Sequence, residues 1–411
     1  MHRTRILSLA VAATLLGASS AGLSADNAPK ANLYMDVATH TMAGMPGMGG
    51  MGRVAMGLFG GRGAGNSYGM TRFPAMPGQY LDIALHNRLN PGKEAAQEIP
   101  AGLRLGDSLP LLPPEAAPRV ESAPQGADGK TVADGTTRIL IYWGCGTEVR
   151  PGQPKVVSIS AKNGKVDVSG ASAMQGRYVP DRSISPDPSY ALWPNPRSRK
   201  HVPDGASLVG AHHVVGDKVP ESLKFDLAER QDFLPKIALS NSGELASGQT
   251  WSWQPVSRAL GYYLHAMGQQ GDALVLWSSS ETPDAGMGIF DYLPNATVEK
   301  WVREKVLLAP SVTRCAIPKG IFTGNDGGAA GGMLQMIAFG PESNIAWPPR
   351  PADPKAAWSP EWNVRVRTKS TAMAMLGMDV AAADADQAED GEQPAQKESK
   401  AKKLLKGLFG H

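Results

Sequence analysis

Thr250-Trp251-Ser252-Trp253-Gln254-Pro255-Val256 opens the stretch whose reading decides the fold. Ala259-Leu260-Gly261-Tyr262-Tyr263-Leu264-His265-Ala266-Met267-Gly268 follows, then the turn Gln270-Gly271-Asp272 and the run Ala273-Leu274-Val275-Leu276-Trp277-Ser278-Ser279. Short aromatic and aliphatic runs cut by Pro and Gly read as strands. The pattern continues outward. Gln79–Leu89 alternates, with Tyr80, Leu81, Ile83 and Leu85 against Gln79, Asp82 and His86, and Asn32–Thr39 reads as its neighbour. Arg138–Trp143 is a buried strand, and Lys155–Ser160 and Lys165–Val168 flank Asn163-Gly164, a two-residue hairpin signal. Further strands are read at Ala206–Val215, Ser222–Leu227 and Met333–Phe339. In Trp362–Thr368, Trp362, Val364 and Val366 alternate with Arg365 and Arg367, which predicts one buried and one cationic face. With 47 Gly and 33 Pro, the chain is nearly one fifth Gly plus Pro, against an average of about 12%. That excess fits many short strands and turns. A single helix is predicted from a cap at Asn295 or Thr297, with Val298, Trp301 and Val302 on one face, ending before Pro310. The expected class is all-β.

The W-x-P-V of Trp253–Val256 leading through the A-x-G-Y of Ala259–Tyr262 resembles fibronectin type III and immunoglobulin-like sandwich domains. The resemblance covers residues 250–280 and implies that the Trp and Tyr pack between two sheets. It concerns fold and carries no activity. On this basis the chain divides into a first sandwich at 30–230, interrupted by a flexible Gly/Met-rich insertion at 42–76, and a second at 231–378. Residues 379–411 form an acidic tail that cannot build a core. It ends in a basic amphipathic helix, where Leu404, Leu405, Leu408 and Phe409 recur on one face among Lys400, Lys402, Lys403 and Lys406. Such a helix can dock weakly on an anionic membrane surface or a partner groove.

At the other end, Met1-His2-Arg3-Thr4-Arg5 precedes an apolar run from Ile6 to Leu16 and the small residues 17–21. This is the order of a cleavable export signal, with cleavage after Ala21 or Ala25, so residues 1–25 are expected to be removed and the protein to be periplasmic or secreted. Loss of Arg3 and Arg5 takes the formal net charge from +3 to about +1, which offers nothing to nucleic acid. Cys145 and Cys315 are the two cysteines. In an oxidising compartment they are expected to pair, closing a loop of about 170 residues; two buried free thiols are the alternative, and zinc is disfavoured because neither has a ligand-spaced neighbour.

His40 followed by Met42, Met45, Met48 and Met51 is the sharpest chemical feature. Thioethers are soft ligands that favour Cu(I), and the spacing resembles the methionine motifs of periplasmic copper-handling proteins. The competing reading is a low-complexity loop in which Met fills space. His212 and His213 adjoin on a strand and face opposite sides, so they cannot share a metal. Gly65-Asn66-Ser67-Tyr68-Gly69 matches G-x-S-x-G but lacks the strand and helix that the hydrolase elbow requires. The residues lead to a non-enzymatic exported β-sandwich protein that binds or scaffolds an envelope protein or polymer, with no cofactor unless copper. The alternatives are a periplasmic copper-binding protein and a hydrolase acting on envelope carbohydrate or peptide.

Overall fold

The computed structural model describes residues 28–44, 66–72, 76–115, 134–174, 176–180, 182–324, 328, 330–353 and 355–380. The export signal, Met45, Met48, Met51 and the terminal Leu404, Leu405, Leu408 and Phe409 lie outside them. The described chain is mainly strand. The first strands are β1 (Ala31–Ala43), β2 (Gly78–Asn87), β3 (Ala95–Glu98), β4 (Ser108–Leu111), β5 (Gly135–Trp143), β6 (Lys155–Lys162) and β7 (Lys165–Ser169). Next come β8 (Ala191–Trp193), β9 (Gly210–Gly216), β10 (Lys224–Leu227), β11 (Leu239–Ser242), β12 (Gln249–Trp253), β13 (Gly261–Gln270) and β14 (Ala273–Ser278). A helix, α1 (Asn295–Arg303), precedes β15 (Arg314–Ile317), β16 (Gly332–Trp347) and β17 (Trp362–Leu376).

Ten strands form one sheet in the order β7-β6-β5-β14-β13-β16-β17-β1-β2-β8. Strands from both sides of residue 230 therefore share it. Neighbours are antiparallel except β1 with β17 and β14 with β5, which are parallel. β1 continues to Ala43, beyond the Thr39 end read from sequence, because β17 pairs with it along its whole length and β2 pairs with it up to His40. His40 and Met42 are thus strand residues. The hairpin at Asn163-Gly164 is present: Lys162 pairs with Lys165, and both turn residues have positive φ, 50° and 73°, as a type I′ turn requires.

Alternation gives the large sheet two different faces. Over one face lie two small sheets, β10-β9-β3-β4 and β11-β12-β15. The four-stranded sheet closes a core in which Leu109, Leu111, Val214 and Phe225 meet Leu33, Met35, Val364 and Val366. The three-stranded sheet closes another, in which Trp251, Trp253 and Ile317 meet Tyr262, Leu264, Trp277 and Met336. Burying aromatic and aliphatic side chains of this size contributes about 1.5–3 kcal/mol each. Trp253 packs edge-on to Tyr262 at 5.6 Å, and the Tyr262 hydroxyl accepts the Val256 N–H at 3.0 Å. β16 and β17 are long enough to floor both cores, Val364 and Val366 under one and Ala372 and Ala374 under the other.

Cys145 and Cys315 stand at disulfide distance, with Cα atoms 5.1 Å apart, and tie the end of β5 to β15 across the second core. His212 and His213 face apart. His212 is buried, donating from Nε2 to the Leu208 carbonyl at 2.8 Å and accepting from Gln97 at 3.0 Å, while His213 meets Glu98. Ser67 is exposed. A turn at residues 68–72 follows it, where a hydrolase nucleophile elbow has a helix.

Candidate functional site

The second face of the large sheet carries the chemistry. Here β17 presents Arg365, Arg367, Lys369, Thr371, Met373 and Met375, and β1 presents Tyr34, Asp36, His40 and Met42, in register. The expected cationic face is corrected by burial: Arg367 and Lys369 have side chains only 3% and 1% exposed. Acids from distant chain segments meet both of them, which offsets the cost of burying a cation.

Asp36 lies between Asp82 on β2 and Arg367 on β17. Arg367 donates to it twice, Nε to Oδ1 at 2.7 Å and Nη2 to Oδ2 at 2.5 Å. Burial alone would lower the Arg367 pKa, and the charge and hydrogen bonds of Asp36 more than offset it, so the guanidinium is held above its ordinary value. Lys369 reaches Asp291 at 3.4 Å, and Arg72 donates to the same carboxylate at 2.8 and 2.5 Å. Both Arg367 and Lys369 sit over the Tyr292 ring, at 4.6 and 4.5 Å, where the π-face attracts cations. This seam pins the segments around Thr71 and Tyr292 to the sheet. Asp36, Tyr68, Arg72, Asp82 and Ile184 line a pocket of about 200 Å³ at its edge.

Asp82 is the seam's titrating member. Burial and the neighbouring Asp36 charge push its carboxyl up to about 7, against hydrogen bonds from Thr71 Oγ1 at 2.5 Å and Thr71 N at 3.2 Å. An acid held above its unfolded value stabilises the fold fully below about pH 4, and that contribution is lost as pH rises through 7. Between pH 5 and 8 the protein should therefore lose stability, by at most about 4 kcal/mol from this group. Asp82→Asn should flatten the decline. Urea denaturation of both proteins across that range checks it, and parallel curves would remove Asp82 as the cause.

Farther along the same face the side chains become soft. Met42 adjoins Met373, which adjoins Gln335 on β16 and then His265 on β13. One step on, Met375, Met333 and Met267 form a second row across β17, β16 and β13. Met267 and Met375 are 38% and 42% exposed, and Met42, Met333 and Met373 are partly buried. His265, Met267, Met287, Phe290, Met333 and Gln335 line a pocket of about 180 Å³. Burial lowers the His265 pKa to about 4, so the ring is neutral at physiological pH. Its Nε2 donates to the Ala285 carbonyl at 3.1 Å. In a neutral imidazole this leaves the lone pair on Nδ1.

No protein-family model, curated protein or solved structure matches this chain.

Of the sequence-predicted ligands, His40 and Met42 both lie on this face. His40 is buried, tilted against Tyr80 at 5.3 Å, with Nδ1 hydrogen-bonded to Thr371 Oγ1 at 2.5 Å. Burial, then the charge of Lys369, lowers its pKa to about 3. Reading the sequence missed His265, Met267, Met287, Met333, Met373 and Met375. For Met267, Met333, Met373 and Met375 the signal was a thioether at a strand position that β-branched residues usually fill; Met373 and Met375, two apart, were its clearest local instance. Among the described residues no group of three or more His, Cys, Asp or Glu side chains is placed to hold a metal ion. A metal bound at the methionine end of this face would take thioether sulfur and imidazole, a set suited to Cu(I).

Proposed function

We propose that this chain is an exported protein that binds monovalent copper through methionine thioethers on the second face of its large sheet. One observation carries the proposal: Met42 and Met373, then Met267, Met333 and Met375, occupy two adjoining rows on one face. Neighbouring strands are about 4.8 Å apart, and methionine's three rotatable bonds let adjacent sulfurs converge on one ion. Met42 leads directly into the run that holds Met45, Met48 and Met51, which supplies further thioethers in the same stretch of sequence. The export signal and the cysteine pair accord with an oxidising compartment. Beneath the metal face, the two cores read as two sandwich units of the fibronectin or immunoglobulin kind joined through a shared sheet, a reading supported by buried Trp251, Trp253 and Tyr262. In this proposal the sandwiches serve as a scaffold and the soft face as the working surface.

Anaerobic Cu(I) titration against a chromophoric chelator tests it. The protein should bind more than one equivalent, and changing Met42, Met45, Met48 and Met51 to leucine should lower the stoichiometry. Absence of Cu(I) binding overturns the proposal, as does a stoichiometry that leucine leaves unchanged. The facing Asp36 and Asp82 beside Tyr68 favour a second reading, an envelope-acting hydrolase using Asp82 as its acid. Turnover of glycoside or peptide substrates that Asp82→Asn abolishes would establish it instead.

A further inference from the structure

The two methionine rows run into a concavity that the sequence motif does not include. Gly286, at φ +82°, closes against His265, and a Cβ there would stand 2.2 Å from His265 Cδ2. The backbone of residues 285–287 therefore fits around the imidazole as it is placed. The Ala285 carbonyl accepts from Nε2 and orients the ring, the kind of outer-shell hydrogen bond that fixes a ligating histidine's tautomer. Met267 from β13, Met333 from β16 and Met287 from the segment that carries Ala285 line the pocket together with the imidazole, Gln335 and Phe290. Met287 is 62% exposed. An apolar side chain so placed contributes little to the core.

We propose that His265 Nδ1, with the sulfurs of Met267, Met287 and Met333, forms a discrete high-affinity site for a monovalent soft cation, Cu(I) or Ag(I). This rests on the copper-binding reading and sharpens it: one nitrogen and up to three sulfurs hold the resident ion, and the Met42–Met51 run is a separate, weaker set. The chemistry fits. Thioethers are neutral, so a site without carboxylates selects a soft monovalent ion over hard divalent ones. A histidine anchored by its other nitrogen supplies the directional ligand that flexible methionines do not.

The test uses the exported full-length protein and Ag(I), which is redox-inert, followed by Cu(I) under anaerobic conditions. Methionine methyl resonances should show Met267, Met287 and Met333 shifting first, at one equivalent, before Met42 and Met373. X-ray absorption of the one-equivalent Cu(I) form should show nitrogen together with sulfur. His265→Phe and the pair Met267→Leu/Met333→Leu should each weaken the first equivalent by at least the 10–100-fold, approximately, that losing an outer-shell partner costs. Met378→Leu, at an exposed methionine that belongs to neither row, should not. If the protein binds Cu(I) through sulfur alone, or if His265→Phe leaves the first equivalent intact, this site is wrong while the broader reading stands. If neither Ag(I) nor Cu(I) binds, both fall. Should His265→Phe fail to fold, the order of methyl shifts in the unmodified protein still decides.

Discussion

Replacing Arg367 with methionine should destabilise the protein by about 3–5 kcal/mol, the cost of leaving a buried charge without its partner. Asp36 has a side chain 11% exposed, and Arg367 supplies it with two charge-assisted hydrogen bonds. Remove the guanidinium and Asp36 faces Asp82 across the β1–β2 ladder. Arg72, which lines the same pocket, and Lys369, two residues farther along β17, are the other cations of the seam, and Asp291 already engages both. Arg365, on the other side, stacks on Tyr34 at 4.8 Å, and burial followed by the Arg367 charge lowers its own pKa. Two adjacent buried carboxylates cannot both ionise cheaply, so the loss should deepen as pH rises above 7. Removing both charges is different. Asp36→Leu with Arg367→Met should recover most of the stability, because a well-packed apolar pair often replaces a buried ion pair at little cost. Urea denaturation of the two single variants and the double closes a mutant cycle. An Arg367→Met protein within about 1 kcal/mol of the parent would show that water reaches the seam and that the pair is not buried in solution.

That seam also shows where sequence reading stops. Alternation in Trp362–Thr368 located a strand and separated its faces. It left Arg365 and Arg367 on the outer face, because the acids that bury Arg367 are remote: Asp36 lies 331 residues away. The parallel pairing of β1 with β17 spans the same distance, and no turn chemistry marks it. Where the determinants are local, legibility was good. Asn163-Gly164 marked its hairpin, the Asn295 region began its helix, and Trp251, Trp253 and Tyr262 were placed inside. The methionine rows fall between these cases. Met42, Met267, Met333, Met373 and Met375 each sit on a readable strand, yet their adjacency is a property of strand order. Only the run after His40 was visible, because it is contiguous. A period of two tells which residues share a face and is silent on which strand lies beside it.

Removing the cysteine pair should have the second large effect, and it separates scaffold from site. Cys145→Ala with Cys315→Ala opens a loop of 170 residues. Chain entropy alone puts the loss at about 5 kcal/mol, with native and unfolded-state effects often reducing it. The structure says where the loss falls. Cys315 is 2% exposed on β15, paired with Trp251, in a sheet of only three short strands. That sheet is the lid of the second core, and without the link its attachment rests on Trp251, Trp253, Ile317 and their neighbours. Denaturation of the double variant against the oxidised parent measures the difference, and a change under about 1 kcal/mol would mean the reduced chain already holds these ends together. The soft face should be indifferent. Cys145 and Cys315 belong to the core on the sandwich face, whereas Met267 and Met333 are set on the other. Alanine is the necessary substitution here, because freed thiolates would themselves capture Cu(I). A double-alanine protein that is less stable but holds its first equivalent of Cu(I) as tightly as the parent is the expected outcome. Coupled losses of stability and affinity would instead mean that the methionine face is assembled only when the second core is closed.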